Sequence, residues 1–231
     1  MISYAAANLG FAQPVPQPPA APITVPPPPT GTGAPFYDLQ QLPETRGTLQ
    51  RFTLTPRGDL DGFLLADGMQ IHVPPHLTAE LAAALRPGDP ISVRGYRLPN
   101  VPLVVAAEVS DLTTNQTVVD RGPPPPGSRP LPPPAPGAWQ PTTLSGKVQT
   151  PLYGPAGDIT GALLGDGTII RLPPPVAAQS PSLLAPGQTV AVQGFALGTA
   201  YGRVIEAQTV EPAPATTPTY PPPGTGAPLR P

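Results

Sequence analysis

The chain has 231 residues, of which 43 are proline and 24 are glycine, and it has no cysteine. Proline at this frequency is typical of extended or low-complexity segments, and the lack of cysteine excludes disulfides, thiol catalysis and cysteine-ligated metal sites. Only 11% of the residues are charged, the formal net charge is −2, and no apolar run approaches the roughly 20 residues of a transmembrane helix.

The chain begins with a segment for which two interpretations stay open. Residues 1–12 are small and apolar and are followed directly by prolines. They resemble a truncated signal peptide, although a basic start is missing; the alternative is a disordered N-terminus. Export to the periplasm or medium follows from the first interpretation and a cytoplasmic location from the second. The abundance of alanine, proline, glycine and arginine is typical of bacteria with a high GC content.

Proline clusters divide the rest of the chain into domains and connections. We predict disordered proline-rich tails at residues 1–42 and 213–231, a proline-rich linker at 114–141, and two domains at 43–113 and 142–212. Proline-rich linkers favour the extended polyproline II conformation. The sequence therefore predicts a semi-rigid spacer between the domains.

The two domains are copies of one another. Residues 47–98 align without a gap with residues 146–197, and 20 of the 52 positions are identical. Repetition at a fixed spacing predicts that one structural unit occurs twice.

Each copy reads as short strands around one helix. Strands are predicted at residues 47–55, 62–66, 69–73, 91–98 and 103–111, with a helix at 76–86. Asp67-Gly68, between the second and third strands, is typical of a two-residue hairpin turn of type I′. In the second copy Pro181 falls inside the helix, which should therefore be short or irregular.

This order of elements resembles the OB-fold, a five-stranded Greek-key barrel that binds oligonucleotides or oligosaccharides. The resemblance depends on element order, helix position and hairpin placement, and it points to no specific characterised family. It implies a mainly β protein with two small OB-like barrels, each with a helix between strands 3 and 4. A competing SH3-like barrel has no place for that helix. The resemblance also implies that ligands bind the outer face of strands 2 and 3 and the loops beside it.

The hairpin turn predicts which side chains form that outer face. A two-residue turn places Leu64 opposite Ile71 inside the barrel. It leaves outside Phe63, Leu65, Gln70 and His72 in the first copy, and Ala162, Leu164, Ile169 and Arg171 in the second. Because this face is mostly apolar and nearly uncharged, we interpret it as a contact surface for a protein partner or another oligomeric ligand.

Tyr96 and Phe195 occupy equivalent positions, each directly after a glycine of the fourth strand. Strict alternation from Val93 places Tyr96 outside, whereas a β-bulge at Gly95 would turn it inward. Since the aromatic and the leucine two residues later are apolar in both copies, we expect the aromatic to be buried.

Binding of single-stranded nucleic acid is the alternative function. Arginines contact phosphates and exposed aromatics stack on bases, and the residues that would do so are Arg51, Arg94, Arg97, Phe63 and Tyr96. Acidic residues roughly balance the arginines of the first domain, and the second domain has few basic residues. The sequence therefore favours this function less than a protein contact.

The sequence offers no catalytic, cofactor or metal site. His72 and His76 are separated by a Pro-Pro step and have no evident third ligand, and neither a phosphate loop nor a GxSxG motif is present. We therefore predict a non-enzymatic tandem OB-fold module for binding or scaffolding, whose ligand is a protein or a component of the cell envelope.

Overall fold

The computed structural model describes residues 38–123, 138–179 and 181–213. The candidate signal peptide and half of the predicted linker lie outside these residues, as do the predicted tails apart from residues 38–42 and 213. Leu39–Gln41, predicted as disordered tail, form a 3-10 helix, and Leu42 is buried. The described part contains eleven strands and two short α-helices. None of its helices is both long and apolar enough to cross a bilayer.

The first barrel closes through a parallel pair of strands. Its strands are β1 (Glu44–Leu54), β2 (Leu60–Leu65), β3 (Gln70–His72), β4 (Pro90–Arg97) and β5 (Leu103–Asp111), and its helix is α1 (Thr78–Ala84). The sheet order is β3-β2-β1-β4-β5, and the pairing of β3 with β5 closes the barrel. A further strand, β6 (Thr117–Val119), pairs with β5 inside the segment predicted as linker.

The second barrel repeats this connectivity. Its strands are β7 (Gln140–Tyr153), β8 (Ile159–Leu164), β9 (Ile169–Arg171), β10 (Thr189–Thr199) and β11 (Gly202–Pro212), and its helix is α2 (Pro174–Gln179). The closed order is β10-β11-β9-β8-β7, and α2 ends before Pro181, as expected. Two closed five-stranded barrels, each with a helix between its third and fourth strands, confirm the tandem OB-fold.

The glycines shared by the two copies include a pair at a close approach between neighbouring strands. A Cβ at Gly62 would lie 1.9 Å from the carbonyl oxygen of Ile71, and one at Gly161 would lie 1.9 Å from that of Ile170. No side chain fits at that distance, so both copies need glycine where β2 approaches β3 and β8 approaches β9.

The β2–β3 hairpin differs from the prediction by one residue. Leu64 pairs with Gln70 and Phe63 with Ile71, instead of Leu64 with Ile71. The reason is the turn: Gly68 N–H donates to the Leu65 carbonyl at 3.0 Å, and Gly68 has a φ of 88° while Asp67 has no positive φ. This is a turn closed by a glycine bulge, not a type I′ turn.

The shift reverses the predicted faces of strand 2 and leaves those of strand 3 as predicted. Residues opposite one another share a face, so Phe63 lies inside with Ile71 and Leu64 lies outside with Gln70. In the second barrel Ala162, Leu164 and Ile170 belong to the barrel's own core, whereas Leu163 and Ile169 do not. The predictions that Phe63, Leu65, Ala162 and Leu164 face outward are therefore wrong, and Gln70, His72, Ile169 and Arg171 are outside.

The expectation that Tyr96 and Phe195 are buried is also wrong. A bulge is present beside Gly95, but the extra residue is Ala107 on the neighbouring strand β5. The alternation of β4 is therefore unbroken, and Tyr96 is 43% exposed. Phe195 is 38% exposed for the same reason.

The two barrels are docked against each other. One continuous core contains residues of the first barrel together with Leu152, Leu163, Ile169, Leu197 and Val204 of the second. The predicted spacer therefore does not hold the barrels apart.

Candidate functional site

Each barrel covers the outer face of strands 2 and 3 of the other. Leu64 and Leu163 occupy equivalent positions in the two barrels, and both are buried in the shared core. The loops beside these faces also meet: a Cβ at Gly58 in the β1–β2 loop would lie 2.8 Å from Thr199 Cγ2 of β10. In the reciprocal contact, a Cβ at Gly157 in the β7–β8 loop would lie 3.2 Å from Leu98 Cδ2.

Arg171 is the central polar residue of this junction, and its side chain is only 7% exposed. Its Nη2 donates to Asp61 Oδ2 at 2.5 Å and its Nε donates to the Leu54 carbonyl at 2.7 Å, both in the first barrel. Its Nη1 donates to Thr160 within its own barrel. Asp61 also accepts a 2.7 Å bond from Thr53. The buried charge is thus paired and its donors are satisfied across the junction.

The side chain of Gln70 hydrogen-bonds to the backbone of the other barrel, as a neighbouring β-strand would. Its side-chain Nε2 donates to the Pro151 carbonyl at 2.6 Å, and its Oε1 accepts from the Tyr153 N–H at 3.0 Å. A single amide side chain therefore satisfies two backbone groups of β7.

His72 lies beside this network. Burial lowers the pKa of the His72 imidazole from its ordinary value of 6.5; Asp61 opposes the shift and Arg171 adds to it. Because charging a buried imidazole is unfavourable, His72 is a neutral part of the junction at pH 7.

The predicted contact face is therefore occupied within the chain itself. Of the residues predicted for it, Gln70, His72, Ile169 and Arg171 lie at the junction, while Phe63, Leu65 and Leu164 are in barrel interiors. In this arrangement the described residues of the face contact the other barrel, so the predicted protein partner on strands 2 and 3 is not supported.

A groove runs along one side of the junction. We call it the junction groove, and it is lined by Arg51, Phe52, Ala82, Leu85, Arg86, Pro87, Ala200 and Tyr201. Its residues come from β1 and the end of α1 in the first barrel and from the β10–β11 turn in the second.

Tyr201 is the exposed aromatic of the junction groove, with 41% of its surface accessible. It lies at the tip of a tight hairpin in which Thr199 pairs with Gly202, and its N–H donates to Thr199 Oγ1 at 3.1 Å. The rings of Tyr201 and Phe52 pack edge to face, with their centroids 5.8 Å apart and their planes at an angle of 76°. The backbone turn and the contact with Phe52 therefore hold the ring in place.

The cations of the junction groove are Arg51 and Arg86. Arg51 Nη1 donates to the Gly167 carbonyl at 3.3 Å, and Arg86 Nη1 donates to the carbonyls of Ala82 and Leu85. The Asp89 carboxylate lies on the same loop but accepts from the Arg86 backbone N–H. In the described part of the chain neither guanidinium forms an ion pair, so both retain their charge for a ligand.

The other predicted cations do not join this group. Arg94 lies 3.7 Å from both Glu44 and Glu108, which neutralise it. Its pairing with Glu44 places it at the opposite end of β1 from Arg51, about 20 Å away at the usual rise of a strand. Arg97 is exposed at the end of β4, next to the β4–β5 loop.

Of the residues that line the junction groove, only Arg51 was predicted as a site residue, and the two others that carry binding chemistry, Arg86 and Tyr201, were missed. Arg86 is the first residue of an Arg-Pro-Gly-Asp turn, and this pattern was interpreted only as the end of the predicted helix. Tyr201 lies four residues beyond the last aligned position of the repeat, Leu197. The available signal was a tyrosine directly before glycine in a short turn between two long strands.

No metal site is evident in the part of the chain that the structure describes, where no three histidine or acidic side chains come together. His76 Nε2 instead lies 3.2 Å from Asp120 Oδ1.

Comparison with known proteins gives similarity to solved structures alone. No family model matches the sequence, and no curated protein does. A deletion mutant of the single-stranded DNA binding protein from Thermus aquaticus is 18% identical, with a TM-score of 0.26, over 76% of this chain and 95% of that one. The wild-type protein is 17% identical, with a TM-score of 0.24, over 79% and 95%. At these scores the likeness decides nothing about the junction groove, and the tandem OB-fold is established by the strand topology of the two barrels.

Proposed function

We propose that this chain binds single-stranded nucleic acid in the junction groove. The observation that carries the proposal is the arrangement of two arginines without carboxylate partners around a fixed, exposed tyrosine. Arginine guanidiniums bind phosphate oxygens, and a tyrosine ring provides a stacking surface for a base, which is the chemistry that single-strand binders combine.

The groove chemistry favours a single strand over a duplex. Stacking on Tyr201 needs a base whose face is accessible, and the bases of a duplex are stacked on each other. The apolar residues of the groove that reach its surface, Ala82, Pro87 and Ala200, fit the base side of a single strand, while Arg51 and Arg86 fit its phosphates.

Two cations set the expected salt dependence. Each phosphate contact in a single strand contributes about −0.7 to the slope of log K against log salt, so two contacts give a slope of about −1.4. Binding should therefore be modest and moderately sensitive to salt, in agreement with the net charge of −2.

The test is a titration of a fluorescent oligothymidylate followed by anisotropy at several salt concentrations. Tyr201→Ala should weaken binding by about tenfold, since stacking on one aromatic contributes ~1–3 kcal/mol. Arg86→Gln should reduce the slope by about 0.7. Matched controls are Tyr96→Ala, whose ring has nearly the same exposure, and Arg97→Gln.

The controls decide between the junction groove and other surfaces. Wild-type affinity in Tyr96→Ala and Arg97→Gln supports the groove. Equal losses in the controls would place the ligand elsewhere, and absence of binding by the wild-type chain at low salt would overturn the proposal.

A further inference from the structure

We infer that a single strand bound in the junction groove clamps the two barrels together, so that ligand binding and barrel docking strengthen each other. This inference rests on the function proposed above. It also assigns the ligand to a surface different from the outer face of strands 2 and 3.

The junction groove is a composite site. The first barrel supplies Arg51, Phe52 and Arg86, and the second supplies Ala200 and Tyr201. Neither barrel alone has both the two cations and the exposed tyrosine. The site therefore exists only while the barrels are docked.

If the barrels separated, the exposed outer faces of strands 2 and 3 would bind a nucleic-acid single strand much more weakly than the junction groove does. Separation would expose Leu64, Leu163 and Ile169, which are apolar. The one arginine there, Arg171, would be released together with Asp61, its partner at 2.5 Å. Both cations of the junction groove belong to the first barrel, so the docked state is favoured because docking adds the Tyr201 ring of the second barrel as a stacking surface.

Coupling follows from this difference. A ligand that binds one of two states shifts the equilibrium toward that state by its difference in affinity. An oligonucleotide should therefore favour docking, and a substitution that weakens docking should weaken oligonucleotide binding without touching the junction groove.

The experiment uses a disulfide across the junction. The chain has no cysteine, so the double variant Gly58→Cys/Thr199→Cys has one thiol pair. A Cβ at position 58 would lie 2.8 Å from the Cγ2 that Thr199 carries on its own Cβ, which is within reach of disulfide geometry. Gly58 has a φ of 84° and Thr199 Oγ1 accepts from the Tyr201 N–H, so each substitution has an effect of its own. The reduced form of the same protein is the control for the two substitutions.

The inference predicts that the oxidised form binds the labelled oligothymidylate at least as tightly as the reduced form. If wild-type chain binds but the oxidised form binds tenfold or more weakly than the reduced form, the ligand uses faces that the lock closes, and the inference is overturned while the function stands. If neither the wild-type chain nor either form binds at low salt, the proposed function itself fails.

A second variant provides a test without the disulfide. Gln70→Ala removes two hydrogen bonds between the barrels and lies outside the junction groove. Trp139, the only tryptophan, packs on the core that the barrels share, so its emission reports docking. Weaker docking in Gln70→Ala should shift the Trp139 emission to the red, and oligothymidylate should reverse this shift. The affinity of the variant for oligothymidylate should fall several-fold. A red shift that oligothymidylate increases or leaves unchanged would contradict the coupling.

Discussion

At the scale of single residues, the junction depends on positions where the two copies differ. Asp61 of the first copy corresponds to Thr160 of the second, and His72 corresponds to Arg171. Since Arg171 pairs with Asp61, two copies of the first face would place a histidine opposite the aspartate, and two copies of the second would place a threonine opposite the arginine. The differences instead allow the ion pair between Arg171 and Asp61, with a neutral histidine beside it.

The first prediction concerns this ion pair. Arg171→Gln should destabilise the chain by about 3–5 kcal/mol, because it leaves the carboxylate of Asp61 in the junction without its charged partner. Adding Asp61→Asn should restore part of the loss, since the unpaired charge is then gone. Urea denaturation of the single and double variants measures this. Additive losses would contradict a direct interaction; Arg97→Gln, an exposed arginine outside the junction, is the control.

The second prediction concerns pH. The folded chain protonates His72 at a lower pH than the unfolded chain does, so the unfolded state binds more protons between the two pKa values. The contribution of His72 to stability is therefore fully present above about pH 6.5 and is lost as the pH falls below it. The midpoint of urea denaturation should decrease from pH 7.5 to pH 5.5, and less so in His72→Gln. An identical decrease in the variant would show that other groups are responsible.

At the scale of secondary-structure elements, the sequence was sufficient to place the strands but not the register of the hairpin. The predicted strand at residues 103–111 coincides with β5, and the other strands are displaced by a few residues. Asp67-Gly68 suits both a type I′ turn and a turn closed by a glycine bulge. The two differ by one residue of register, which moves every side chain of a strand to the opposite face. Phe63 and Leu65 were misplaced for this reason.

The third prediction concerns Gly161, where β8 approaches its neighbour β9 most closely. Gly161→Ala should destabilise the chain by about 1–3 kcal/mol or more, because the added methyl group would meet the Ile170 carbonyl and the strands must move apart. Gly198→Ala in β10 is the matched control, since a Cβ there meets nothing within 4 Å. Thermal unfolding of the two variants should differ by several degrees. Equal melting temperatures would mean that β8 and β9 adjust without loss.

At the scale of the whole molecule, the docking of the barrels could not be predicted from the sequence. Apolar residues outside a barrel, such as Ile169, correctly indicated a contact surface. The pattern does not say what lies on the other side, and the proline-rich connection suggested separation. The partner is the second copy of the same unit. The candidate site followed from this arrangement, because Arg51 and Tyr201 meet only when the barrels are docked.

The last prediction follows from the shared core. Because Leu163 and Ile169 of the second barrel are buried against the first, neither barrel can unfold without exposing apolar surface of the other. The chain should therefore unfold in one calorimetric transition, with equal calorimetric and van't Hoff enthalpies. Leu163→Asp places a charge in the junction, where burial is unfavourable, and should split the transition into two. Phe195→Asp, at an exposed position on the same barrel, should leave it single. Two transitions in the wild-type chain would show that the barrels fold independently, and the composite groove would then lack the rigid support that ligand binding requires.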